Sequence, residues 1–338
     1  MRIFKNMIPL RWKEPAATFL REAGHLPLSL VMRHMQRSYL SHTDCTVGRM
    51  EQINEILRNK TYRYLEHRYE RLAREMTAPY TPGVLPEMPV IWVFWWQGIE
   101  NAPDIIRRCV QSIRSNSGQF TVQIVDEKNY REFVNVPPHL LEKLSNKTIT
   151  LTHFADFYRM ALLAEHGGLW LDASLFVSKP IEQEIIAQPL FTIRNPGMDP
   201  ANISNWEWTV GVIGGWKGNT LFRGASELLS AYWREHDILA DYFVFDYLIR
   251  LLCSCSAELY AALSAVVPNN KDFYFLQEYA GAPFSDALYD KIQYSKTWIY
   301  KISWKGNYAM ETHDGKETLF ARWIKDVEPA DGGISWKK

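Results

Sequence analysis

A chain of 338 residues with 47% hydrophobic content can bury one large core, or one core plus a small appended domain. Lys and Arg number 38 and Asp and Glu 38, a balance that argues against a general nucleic-acid binder. The four cysteines, Cys45, Cys109, Cys253 and Cys255, give neither a disulfide framework nor a zinc spacing, so a reducing, cytoplasmic compartment is expected.

Residues 1–40 mix Arg2, Lys5, Arg11, Lys13, Arg21, Arg33 and Arg37 with apolar side chains such as Phe19, Leu20, Leu30 and Val31. Two readings fit: peripheral contact with the inner face of an anionic membrane, or a helical cap whose charged face is solvated. Neither a secretory signal nor a membrane-spanning run is expected. A long helix is predicted over 48–76, followed by the proline-rich loop Ala78–Pro89. The expected organisation is a helical N-terminal extension over 1–85 and a main domain over 86–338.

Val90–Trp96 is a continuous apolar run of buried-strand length ending at Gln97-Gly98. Ligands of α/β sheets bind outside the carboxyl ends of the strands. A nucleotide site would lie at this end, around Trp95, Trp96, Gln97 and Gly98, if this is the first strand of such a sheet, though an aromatic at a strand end is more often core. Pro103 opens a helix whose buried face is Ile105, Ile106, Cys109, Val110 and Ile113. Thr121–Val125 is a second strand. Asp126 beyond it either accepts hydrogen bonds from a ribose or caps the helix beginning near Tyr130. Strand, helix and strand indicate an α/β sheet.

Residues 153–176 form the most informative stretch. Phe154, Phe157, Met160, Ala161 and Ala164 recur at helical spacing. Asp156 and Arg159, three apart, place a carboxylate beside a guanidinium on that helix. Gly167-Gly168 ends it, and the short strand Leu169–Leu171 runs into Asp172-Ala173-Ser174. A carboxylate ending a buried strand is costly to desolvate unless a cation or donors meet it. Asp172 therefore marks a site, and Asp172→Asn is expected to leave folding little changed.

An Asp- and Arg-bearing helix, a Gly-Gly pair and a strand ending in Asp-x-Ser resemble the nucleotide-sugar glycosyltransferases of GT-A type. The best match is the bacterial capsular polysaccharide synthesis protein family, similar in its core to the DXD mannosyltransferases and the glucosylating bacterial toxins. The resemblance also covers Ile91–Ala102, Cys109–Ile113, Asn202–Asn219 and Tyr232–Ile249. It implies an α/β fold with a GT-A-like, Rossmann-type mixed sheet flanked by helices. It implies sugar transfer, with retention of configuration, from a nucleoside-diphosphate sugar to an oligosaccharide or lipid-linked glycan acceptor of a capsule or other surface polysaccharide. In that reading Asp156 and Arg159 contact the donor and Trp95–Gly98 meet the nucleotide base; Asp126 and Gly168 are further candidates for a nucleotide contact. The alternative for Asp156 and Arg159 is a surface ion pair. Asp172 would hold Mn²⁺ or Mg²⁺, but Ser174 stands where a DXD motif has its second carboxylate. A hydroxyl is a weak ligand for such ions and would act through water, so strict metal dependence is not implied.

Asn202, Asn205, Trp206 and Trp208 suit a mobile loop facing an acceptor sugar. Gly211–Gly215 reads as a strand and turn, and Leu221–Arg234 as an amphipathic helix. Asp241 is read as a cap. Asp246, among Phe245, Leu248 and Ile249, serves either acceptor binding and base chemistry or a structural hydrogen bond. From Ile299, Lys301–Lys305 alternates as an edge strand. His313 lies in a turn, where the resemblance implies a metal ligand and a surface histidine is the alternative. Two other functions fit the pattern: a metal-dependent phosphohydrolase of nucleotide sugars, and a catalytically silent glycan-binding or assembly subunit.

Overall fold

A computed structural model describes residues 10–43, 45–197 and 202–325; Arg2 and Lys5 of the basic stretch lie outside the described residues. Helices α1 (Leu10–Glu22) and α2 (Leu28–Leu40) pack against each other, joined by the buried Glu22 carboxylate, which meets His34 at 2.6 Å. Helix α3 (Val47–Thr77) buries Ile53, Leu57, Thr61, Leu65, Tyr69 and Ala73, a run at every fourth residue that makes one face. That face shares an apolar cluster with Leu228, Tyr232 and Leu248. No described helix is long and apolar enough to cross a membrane.

Strand β1 (Val90–Phe94) is apolar on both faces and lies inside the main sheet. It ends at Phe94 rather than Trp96, because the chain turns with Gly98 N–H donating to Trp95 O. Helix α4 (Asp104–Ser115) leads to β2 (Thr121–Val125), and the short helices α5 (Tyr130–Phe133) and α6 (Pro138–Ser145) lead to α7 (Leu151–His166) and β3 (Gly168–Leu171). Then come β4 (Leu175–Val177), α8 (Glu184–Ala187), β5 (Leu190–Thr192), β6 (Val212–Gly215), α9 (Thr220–Glu235) and α10 (Val244–Cys255). The chain continues through α11 (Ala257–Ser264), α12 (Phe275–Tyr279), α13 (Asp286–Tyr294), β7 (Ile299–Lys301) and α14 (Leu319–Lys325).

The sheet order is β2-β1-β3-β6-β5. Strand β1 runs parallel to β2 and β3, while β6 is antiparallel to β3 and β5 to β6. The protein is thus α/β, with a five-stranded mixed sheet flanked by helices. Trp92 pairs with Trp170, so the carboxyl ends of β1 and β3 lie side by side. Gly168 makes this pairing possible: its φ is +96° and a Cβ there would lie 2.3 Å from Val90 O. Strands β4 and β7 form a separate antiparallel pair with Leu175 opposite Lys301. The predicted strand from Ile299 stops at Lys301, because the chain turns again between Ser303 and Gly306.

Candidate functional site

Helix α7 is fixed at its start by reciprocal bonds between Thr150 and His153 and buries most of its surface, which carries Arg159 into the interior. The Arg159 residue is 5% exposed. Its Nη1 donates to Asp156 Oδ1 at 3.2 Å and its Nη2 to Asp172 Oδ1 at 3.3 Å. The guanidinium lies 4.9 Å from the centre of the Trp170 ring and 5.7 Å from that of Phe245, where aromatic faces favour a cation. Its buried Nε finds no hydrogen-bond partner among the described residues. The surface-pair alternative for Asp156 and Arg159 therefore does not describe them.

Asp172 lies just past β3, its backbone N–H donating to Gly211 O at 2.9 Å. Its Oδ1 also accepts from Trp170 Nε1 at 3.0 Å, and its Oδ2 from Lys301 Nζ at 3.0 Å. Burial alone would raise this carboxyl; the charges of Lys301 and Arg159 and the hydrogen bonds outweigh it and hold the group at about 2. Gly211 lets the carboxylate sit there, since a Cβ would lie 2.8 Å from Asp172 Oδ2. Asp246, on the first turn of α10, is 8% exposed and accepts from Trp208 Nε1 at 2.7 Å. Burial pushes it up to about 6, and burial pushes Asp156 up to about 7 against the pull of Arg159. Asp156, Arg159, Asp172, Asp246, Trp208 and Lys301 line one cleft of about 680 Å³.

The other expected contacts lie elsewhere. Trp96 packs on Tyr130 and Phe154, with ring centres 5.1 and 5.5 Å away, which is core. Trp95 meets the edge of Trp304 at 5.5 Å, and its buried indole N–H has no partner among the described residues. Gln97 is exposed, and Gly98 opens a single 3-10 turn with φ +78°. Asp126 Oδ1 accepts from the backbone of Lys128 and Asn129 at 2.8 and 3.2 Å, a local turn ahead of α5, whose N-cap is Asn129. These five, with Gly168, are not among the residues lining the cleft. Trp206 and Trp208 do line it, yet they are 9% and 2% exposed. They form packed walls of the cleft. Trp206 is held edge-on by Phe273 and Tyr274.

The expected metal ligands do not come together. His313 sits exposed in its turn, away from the cleft lining. Among the described residues no group of three or more His, Cys, Asp or Glu is placed to hold a metal ion. Asp172 Oδ2 and Ser174 Oγ do converge, but on the Lys301 ammonium, at 3.0 and 2.9 Å. As arranged, these two oxygens hold an ammonium. Lys301 is the residue that sequence reasoning missed. It lies 127 positions after Ser174, and only its place in an alternating strand hinted that it faces another element.

The family model described as capsular polysaccharide synthesis protein matches residues 43–322. The chain belongs to that family. The match starts before α3 and runs into α14, so it takes in every cleft residue named above. Among curated proteins, the chain is similar to the O-glycosyltransferase PaGT of Phomopsis amygdali, 34% identical over 111 residues. It is also similar to the glycosyltransferase afumC of Aspergillus fumigatus (strain CBS 144.89 / FGSC A1163 / CEA10), 28% identical over 114 residues. These matches cover 29% and 30% of this chain and only 27% and 29% of the relatives' own lengths. Among solved structures, the PaToxG glycosyltransferase is similar at 15% identity and a TM-score of 0.39, over 73% of this chain and 99% of that one.

Proposed function

We propose that this member of the capsular polysaccharide synthesis protein family is a GT-A-like glycosyltransferase that moves a sugar from a nucleoside-diphosphate sugar to a glycan acceptor. The observation that carries the reading is Arg159, buried at the floor of the cleft and bridging Asp156 to Asp172. A guanidinium so held is pre-organised to fix hydroxyl-bearing or anionic groups in one orientation. Asp156 accepts hydrogen bonds from the donor sugar, and Arg159 and Lys301 supply positive charge where the diphosphate departs. Trp206 and Phe245 give apolar walls of the kind that pack on pyranose C–H faces. The acceptor enters beside His153 and Tyr242, which line both this cleft and a second cavity of about 660 Å³ that also takes in Arg37 of α2.

Incubating the protein with a panel of nucleotide sugars and oligosaccharide or lipid-linked acceptors tests this. A sugar–acceptor conjugate is the expected product. Free sugar or sugar phosphate alone would establish the phosphohydrolase instead, and binding without turnover the silent subunit.

A further inference from the structure

We propose that the ammonium of Lys301 stands in the place of a divalent cation and is the group that receives the donor's diphosphate; this rests on the glycosyltransferase reading above. The pairing of β4 with β7 sets Lys301 opposite Leu175, the residue after Ser174. Its backbone is held on both sides: Lys301 N–H donates to Phe273 O at 2.7 Å, and Ile302 N–H to Ser174 O at 3.2 Å. From that anchored position Nζ lies 3.0 Å from Asp172 Oδ2 and 2.9 Å from Ser174 Oγ. An aspartate and the residue two positions later, converging on one positive centre, is the arrangement a metal-binding pair would make. Here the centre is part of the chain.

A divalent ion bound by these two oxygens would lie at about 2.0–2.1 Å for Mg²⁺, in the space the ammonium fills. The two cations would also repel one another. Asp172 Oδ1 is meanwhile taken by Arg159 and Trp170. Replacing the second carboxylate of an Asp-x-Asp pair by Ser174 fits the same logic, since a monovalent ammonium needs less negative charge around it than a divalent metal. An ammonium carries three N–H donors, two of which are engaged here, leaving one for a phosphate oxygen. Lys301 lines the cleft and its side chain is 26% exposed, so an anion can reach it. In transfer, the bond from the anomeric carbon to the phosphate oxygen breaks, with its electron pair remaining on the diphosphate. The acceptor oxygen bonds to that carbon, and the acceptor's hydroxyl proton leaves to the departing phosphate oxygen. Lys301 steadies the charge that develops on that oxygen.

Inorganic pyrophosphate, which carries the diphosphate without any choice of base or sugar, is the probe. Calorimetry in EDTA should show binding to the wild-type protein, a loss of at least tenfold in Lys301→Met, and partial recovery in Lys301→Arg, with thermal melts confirming that each variant is folded. Manganese alone, followed by its electron paramagnetic resonance signal, should stay free with wild type and be taken up by Lys301→Ala, where Asp172 and Ser174 are released. Pyrophosphate binding that needs added Mn²⁺, or one Mn²⁺ held by wild type and lost in Asp172→Asn, overturns the proposal and leaves the glycosyltransferase reading standing. Pyrophosphate binding unchanged in Lys301→Met overturns it too. Binding in neither EDTA nor Mn²⁺ overturns both.

Discussion

Trp208 donates its indole N–H to Asp246 across 38 positions of sequence, and both side chains are buried. The bond meets a carboxyl that burial pushes up to about 6 and that Trp208 and Arg159 pull back. Trp208→Phe keeps a ring beneath the Arg250 guanidinium, now 4.7 Å from the Trp208 ring centre, but leaves Asp246 without its donor. A loss of about 1–3 kcal/mol is expected near pH 8, and a smaller one near pH 5, where the carboxyl is largely neutral. Urea unfolding at the two pH values measures both. Equal losses would mean that ring packing alone accounts for Trp208.

Asp156 gives the protein a pH signature. Burial raises it to about 7, so the folded state keeps a proton that the unfolded chain releases near pH 4. A raised carboxyl contributes its stability fully below the unfolded value, and the contribution is lost as pH climbs through the folded one. Between about pH 4 and 7 the loss is on the order of 3 kcal/mol. Asp156→Asn should flatten that slope while lowering transfer by at least about tenfold. The stability of both proteins, followed across this range, decides it; parallel slopes would place the titration elsewhere.

Much of this was legible in the sequence, because local patterns carry local structure. The helical spacing around Phe157 and the Gly-Gly stop delimit α7, and Leu169–Leu171 is a strand as read. The logic that a buried carboxylate needs company marked Asp172, and Arg159 does meet it. What stayed hidden depends on pairings that no local spacing encodes. Lys301 reaches Ser174 only through the β4–β7 register. Trp208 reads as a loop residue until α10 brings Asp246 beneath it. Trp96, at a strand end where an aromatic is more often core than ligand platform, does pack as core on Tyr130 and Phe154.

Gly211 offers a test of how tightly the Asp172 carboxylate is held. A methyl group there would come within 2.8 Å of Oδ2, and the carboxylate or the chain must shift. Gly211→Ala should cost about 1–3 kcal/mol of stability through crowding. It should also lower transfer by at least about tenfold, since sub-ångström placement of charged groups governs catalysis. Circular dichroism should show an intact fold. Full activity in a destabilised variant would separate Gly211 from the site.

Asp172→Asn is the most demanding case, because the structure reverses one expectation. A lone buried carboxylate could be removed at little cost to folding, but Asp172 is not alone: Arg159 and Lys301 both donate to it. Its carboxyl is held at about 2, well below the unfolded value. A lowered carboxyl contributes stability above the unfolded value and loses it as pH falls through the folded one. The contribution is therefore present at neutral pH, at about 2 kcal/mol after allowing for a side chain 27% exposed. Asparagine keeps the shape and deletes the charge, leaving the buried Arg159 with Asp156 alone. Asp172→Asn should thus unfold at lower denaturant near pH 7, and the gap from wild type should shrink below about pH 4 and close as pH falls through about 2. Transfer should fall at least ~10²-fold, since each 1.36 kcal/mol of misplaced charge is a factor of ten. A variant as stable as wild type at neutral pH would show that the two cations need no counter-ion there. One that transfers sugar at the wild-type rate would take Asp172 out of the site.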